Sequence, residues 1–173
     1  GKGVRAKDSK EAASLAGLYM ADRPLMRVRA NAGLEVLKKH LLTDGKRVAA
    51  MGYCFGGGTV LELARSGAEV AGVVSFHGNL DTPNPADAKN IKGKVLVLHG
   101  GDDPFVKDDE VAKFEEEMRK AGVDWQIVIY GGAVHSFTNP DAGHDPSRGA
   151  VYNEKADRRS WEAMKTFFRE IFK

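Results

Sequence analysis

The chain has 173 residues, 42 % of them hydrophobic and 29 % charged, with 26 basic against 24 acidic side chains for a net charge of +2. Those values describe one soluble globular domain with room for a core, and they exclude a disordered chain. The basic residues form no block, so neither nucleic acid nor an anionic membrane is the expected partner. The longest apolar run, Val70 to Phe76, is far too short to cross a bilayer.

In chain order, Ser9 to Met20 reads as a helix rich in Ala and Leu. Asp22 can cap a second helix with Pro24 in its first turn, and Leu25, Val28, Ala32 and Val36 repeat at helical spacing before Gly45 stops it. Val48 to Met51 is a short strand, apolar on both faces as a central parallel strand would be. A glycine cluster and a helix near Thr59 to Ser66 follow it, and Val70 to Phe76 is a second strand. A Pro/Asn/Asp-rich loop then leads to a third, Val95 to Leu98. Lys107 to Ala121 is an amphipathic helix with Val111, Phe114 and Met118 on one stripe and Gly122 as its stop. Trp125 to Tyr130 is a fourth strand. Arg158 to Phe172 is a closing helix, with Trp161, Met164, Phe168 and Ile171 facing one way. Strands alternating with helices imply an α/β fold, a parallel sheet flanked by helices, whose ligands bind at the carboxyl ends of the strands.

Glycine is in excess, at 20 residues, and the excess sits at strand ends that also carry reactive groups. Gly52-Tyr-Cys54-Phe-Gly56 has the form of G-x-S-x-G, with cysteine in place of serine. That motif needs glycines on both sides, because the nucleophile rides a tight strand-to-helix turn. The helix that follows offers free N–H groups and a dipole that favour a thiolate, and the N–H of Phe55 can hold an oxyanion. Taken without its context, a lone cysteine is more often a small buried hydrophobe, and the strand before it and the Gly-rich helix start after it reverse that reading. Phosphate-binding readings of the same glycines fail. A P-loop requires Lys where Gly58 stands, a dinucleotide fingerprint requires Gly where Cys54 stands, and no arginine follows Cys54 until Arg65.

Asp102 and Asp103 follow the third strand, where a carboxylate can orient a histidine, although Gly-Gly-Asp-Asp-Pro is also ordinary turn chemistry. His135 lies in the loop after the fourth strand, where a general base would sit. Of the other four histidines, His40 reads as a helix-surface residue, His77 and His99 as structural residues ending strands, and His144 as part of a polar loop. Nucleophile, acid and base in that chain order is the order of α/β-hydrolases. The chain has no His-x-x-x-His pair and only one cysteine, so neither a metal nor any other cofactor is expected.

Gly52 to Gly57, Leu98 to Val106 and Tyr130 to Phe137 together resemble the three motifs of the dienelactone hydrolase family, and the resemblance runs over nearly the whole chain. It implies an α/β-hydrolase sheet and a Cys54–His135–Asp103 triad, with Asp103 rather than Asp102 as the acid. The implied reaction is the cleavage of a small ester or lactone through a thiol acyl-enzyme. Phe55 lies beside the nucleophile as oxyanion donor, and Tyr53, Phe105 and Phe137 flank the site as candidate substrate walls or as core packing. Two departures stand out. Members that open dienelactones carry an arginine shortly after the histidine, and Ser136-Phe-Thr-Asn139 has none. The family's sheet also begins with further strands that nothing before Gly1 supplies, so the expected domain, residues 1–173, is the C-terminal part of a larger hydrolase. A catalytically impaired fragment, or an interaction module that self-associates through an uncovered sheet edge, is the alternative expectation. The default location is cytoplasmic.

Overall fold

The helix caps are built by the residues that sequence chemistry selects. The Asp8 side chain accepts from the Glu11 N–H and opens α1 (Ser9–Ala21), and Asp22 accepts from the Leu25 N–H and opens α2 (Arg23–Lys38). Residues 3–173 are described by a computed structural model. After α2 the chain alternates β1 (Ala49–Tyr53), α3 (Phe55–Arg65), β2 (Gly72–Phe76), a 3₁₀ turn at Pro85–Asn90, β3 (Lys94–Gly100), α4 (Asp108–Ala121), β4 (Trp125–Tyr130) and α5 (Glu154–Ile171). The four strands form one parallel sheet in the order β1-β2-β3-β4.

Alternation along the strands splits the core in two. Val73, Val95 and Val97 join Val60, Leu61, Leu63 and Phe114 on the face covered by α2, α3 and α4. Val74, Phe76, Leu96 and Leu98 join Ala156, Met164 and Phe167 on the face covered by α5. β2 is buried along its whole length, as a strand with neighbours on both sides and helices on both faces must be. β1 pairs only with β2, so it is a sheet edge here, and Met51 and Tyr53 are exposed.

Three features differ from the sequence reading. The α2 residues at helical spacing, Leu25, Val28 and Val36, are exposed, and Arg23, Met26 and Leu34 are the buried ones. The docking face is selected by ion pairs as well as by apolar burial, because Arg23 binds Asp81 and Arg27 binds both Glu62 and Asp87. On α5, Trp161 is half exposed and Phe167 takes the buried position. His40 lies in the turn after α2 rather than within a helix, and α2 ends at Lys38, seven residues before Gly45.

Candidate active site

All four strand ends converge on the Cys54 sulfur or on the groups that hold it. Cys54 sits between β1 and α3 with φ 50° and ψ −121°, the strained turn that a G-x-S-x-G motif demands. Gly52 is obligatory there, because a Cβ at that position would lie 2.1 Å from the Gly56 carbonyl oxygen. Phe55 is the first residue of α3, so its N–H has no intrahelical acceptor and remains available to an anion.

The end of β2 brings His77, which the sequence reading assigned to structure. His77 is buried, holds a positive φ of 37°, and places Nδ1 3.4 Å from the Cys54 Sγ. The Cys54 N–H is shared between the Phe76 carbonyl at 3.1 Å and His77 Nδ1 at 3.3 Å. Nδ1 therefore accepts from that N–H, and Nε2 lies 2.8 Å from Thr138 Oγ1. The approach depends on two facing glycines. A Cβ on Gly57 would meet Gly78 Cα at 2.8 Å, and one on Gly78 would meet Gly57 Cα at 2.7 Å. The sequence carries a signal for it, since His77 follows a strand just as Cys54 and His135 do.

Asp103 and His135 come from the ends of β3 and β4. Asp103 is buried, accepts from the Phe105 N–H at 2.8 Å, and places Oδ2 2.9 Å from His135 Nδ1. Asp102 is exposed, and its N–H donates to the Ala133 carbonyl at 2.9 Å. The loop bearing His135 is pinned by a short bridge to Ala150, through the His135 N–H to the Gly149 carbonyl and the Val151 N–H to the His135 carbonyl. With Nδ1 committed to Asp103, His135 keeps Nε2 for the sulfur side. Donor atoms of Cys54, His77 and His135 all lie within 4.8 Å of one another. Ser136, at φ 56°, adds its Oγ at 3.4 Å from the sulfur. It occupies the stretch in which no arginine was found.

The electrostatics follow from these contacts. Burial pushes the Cys54 thiol up, but hydrogen bonds from His135 and Ser136 outweigh it and bring the thiol down to about 5. Burial pushes His135 down, and its bonds to Asp103 and Cys54 outweigh it and raise the imidazole to about 9. Asp103 is disfavoured as an anion by burial, yet His135 and the Phe105 N–H hold it below the ordinary carboxylate range. Near neutrality the arrangement is thus a thiolate beside an imidazolium, braced by a carboxylate.

The aromatic neighbours divide. Phe105 is exposed and meets the His135 ring edge-on at 5.4 Å, and Tyr53 is partly exposed and stacks on Phe76 at 4.6 Å. Phe137 is wholly buried and backs His77 at 4.9 Å, so it is a core residue and not a substrate wall. Phe55 is half-buried and leans towards Tyr19. A cavity of about 410 Å³ lined by Leu80, Thr82, Phe105 and Lys107 touches this site only through Phe105.

A family model described as "Dienelactone hydrolase family" matches residues 1–172. An uncharacterized protein of Caenorhabditis elegans is 33 % identical over 149 residues, which are 85 % of this chain and 94 % of that protein. A Saccharolobus solfataricus protein carrying the carboxymethylenebutenolidase name is 34 % identical over 129 residues, 74 % of this chain and 46 % of that one. Among solved structures, a dienelactone hydrolase-like promiscuous phosphotriesterase from metagenomic libraries superposes with a TM-score of 0.93 at 43 % identity. That match covers 99 % of this chain and 72 % of the other. The chain therefore spans nearly all of the worm relative but about half of the archaeal one.

Proposed function

The chain belongs to the dienelactone hydrolase family, and on that footing we propose that it cleaves carboxylic esters or lactones with Cys54 as nucleophile, His135 as base and Asp103 as the group that holds the base. The observation that carries the proposal is the Cys54–His135–Asp103 alignment, with its 2.9 Å imidazole–carboxylate bond and a thiol lowered to about 5.

The thiolate attacks the carbonyl carbon, and the carbonyl electron pair moves onto oxygen, where the Phe55 N–H meets it. As the tetrahedral species collapses, the leaving alkoxide takes the proton from His135, and a Cys54 thioester remains. His135, now neutral, accepts a proton from water as the water attacks the thioester. The acid departs and the thiolate–imidazolium pair is restored. Asp103 stabilises the imidazolium in both halves of the cycle. Ser136 Oγ donates to the thiolate and favours its ionised form.

A substrate bearing a carboxylate would need a cation that the Ser136–Asn139 segment does not provide, so the reading favours uncharged acyl groups. The phosphotriesterase relative motivates a second substrate class, neutral phosphotriesters, on which the same thiolate would attack phosphorus. The test is hydrolysis of nitrophenyl acetate by wild type and Cys54→Ala. The proposal expects turnover by wild type and a loss of at least about 10⁴-fold in the variant. Equal rates in the two chains would refute it.

A further inference from the structure

The fold places one sulfur and two imidazole nitrogens around a common point, although no segment of the sequence has the spacing of a metal site. Cys54, His77 and His135 come from the ends of β1, β2 and β4, and their donor atoms lie within 4.8 Å of one another. We propose that this triangle is a binding site for a soft divalent cation such as Zn²⁺, and that filling it shuts the enzyme off by taking the thiolate and the base together. The inhibition, though not the binding, rests on the function proposed above.

Three independent features carry the inference. The first is donor chemistry. One thiolate and two neutral imidazoles make a set that suits Zn²⁺, with the fourth tetrahedral position left to water. The second is geometry. Tetrahedral bonds of ordinary length place a sulfur and a nitrogen donor about 3.6 Å apart, and Cys54 Sγ and His77 Nδ1 are 3.4 Å apart. His135 must approach by no more than about 1.5 Å to complete the third bond, given the 4.8 Å limit on the cluster.

The third feature is the outer shell. A ligating histidine ordinarily anchors its second nitrogen on a carboxylate, hydroxyl or carbonyl, which fixes the tautomer and aims the lone pair. Both histidines here are anchored in that manner. His135 Nδ1 is 2.9 Å from Asp103 Oδ2, and His77 Nε2 is 2.8 Å from Thr138 Oγ1. The bond to Thr138 has no part in the hydrolytic cycle. It holds the ring with Nδ1 turned towards the sulfur. The hydrolytic cycle needs one histidine facing the thiol, and the structure supplies two, the second buried and held at a strained positive φ of 37°.

Bound thiolate no longer attacks a carbonyl, and bound His135 no longer accepts a proton, so inhibition is complete when the site is full.

The probes are Co²⁺ and Zn²⁺ added to the whole chain. Wild type should bind one Co²⁺ with a thiolate-to-metal charge-transfer band and intense visible bands of tetrahedral type. Cys54→Ser should lose the charge-transfer band. His77→Gln should weaken Zn²⁺ at least about tenfold in competition with a chromophoric chelator. Thr138→Val should do the same while leaving all three ligands in place, which covers the case in which the His77 variant fails to fold. His144→Gln, on the exposed loop, should bind as wild type does. Ester turnover should fall over the same Zn²⁺ range and return on chelation. Equal Zn²⁺ affinity in wild type, Cys54→Ser and Thr138→Val would overturn the proposal, as would the absence of binding at about 0.1 mM. A chain that shows the Co²⁺ spectrum but cleaves no ester keeps the cation site and loses the hydrolase reading. A chain that cleaves esters and binds no cation does the reverse.

Discussion

The protein buries two polar clusters, and they are built on opposite rules. The first runs Asp87–Arg27–Glu62–Arg65–Glu117 across the face where α2, α3 and α4 meet. Arg65 and Glu62 are wholly buried. Arg65 grips both oxygens of Glu117 at 2.7 and 2.8 Å, reaches Glu62 at 3.0 Å, and donates to the Leu80 carbonyl at 2.9 Å. Its charges are paired, and all its members but Asp87, in the 3₁₀ turn, lie on regular helices. The second cluster is Cys54, His77, Ser136, His135 and Asp103. Among the described residues, the non-glycine positions with positive φ are Cys54, His77 and Ser136, and every one of them touches the sulfur or supplies it. The difference teaches where this chain stores strain. A saturated ion network fixes the scaffold, and a strained, partly saturated one keeps a reactive atom available. The two are joined. The Arg65 bond to Leu80, and the Glu110 carboxylate that accepts from the Leu80 and Asp81 N–H groups, anchor the loop that begins at His77.

Three experiments would break or sharpen that contrast. The largest effect should come from Asp103→Asn, which keeps the shape of the site but presents an amide to His135. It should lower kcat by up to about 10⁴-fold while leaving the melting temperature close to that of wild type, read by steady-state kinetics and thermal unfolding. If the loss appears in stability instead, the second cluster is scaffold after all. Next comes Arg65→Met, which leaves Glu117 as a buried charge without a partner and Glu62 with Arg27 alone. It should destabilise the fold by about 3–5 kcal/mol in urea unfolding, with kcat of the remaining folded protein unchanged. The smallest effect belongs to Ser136→Ala, which removes one donor from the thiolate. The rate of Cys54 alkylation with pH should show its midpoint near 5 in wild type. The variant should shift that midpoint upward by about one unit, the worth of one hydrogen bond to a charged group. Ester turnover should rise as pH passes about 5, where the thiol ionises, and fall as it passes about 9, where His135 loses the proton it must give to the leaving group.

The sequence disclosed the elements with strong local signals and missed those decided by tertiary contact. β4 matches its expected bounds, and α4 begins one residue later than expected and ends at Ala121 before a left-handed Gly122. A strand of β-branched and aromatic residues, and an amphipathic helix with a glycine stop, both announce themselves. The elbow marked Cys54 as a local motif, whereas the Gly-Gly-Asp-Asp turn left Asp102 and Asp103 alike, and only the family resemblance singled out Asp103. His77 was marked by neither. Its place beside the sulfur depends on Gly57 and Gly78 meeting across two segments, and on a backbone angle that no propensity predicts for histidine. The docked face of α2 was missed for a related reason. Spacing identified Leu25, Val28 and Val36, but Arg23 and Arg27 turn the helix towards Asp81, Glu62 and Asp87.

The central claim is that Cys54 carries the acyl group. Wild-type protein mixed with nitrophenyl acetate, quenched in acid within the first turnover and digested, should show one acetyl group on the peptide containing Cys54, absent from the Cys54→Ala protein. An acetyl group on any other residue at the same rate, or turnover with no labelled Cys54 peptide at any quench time, would contradict the account.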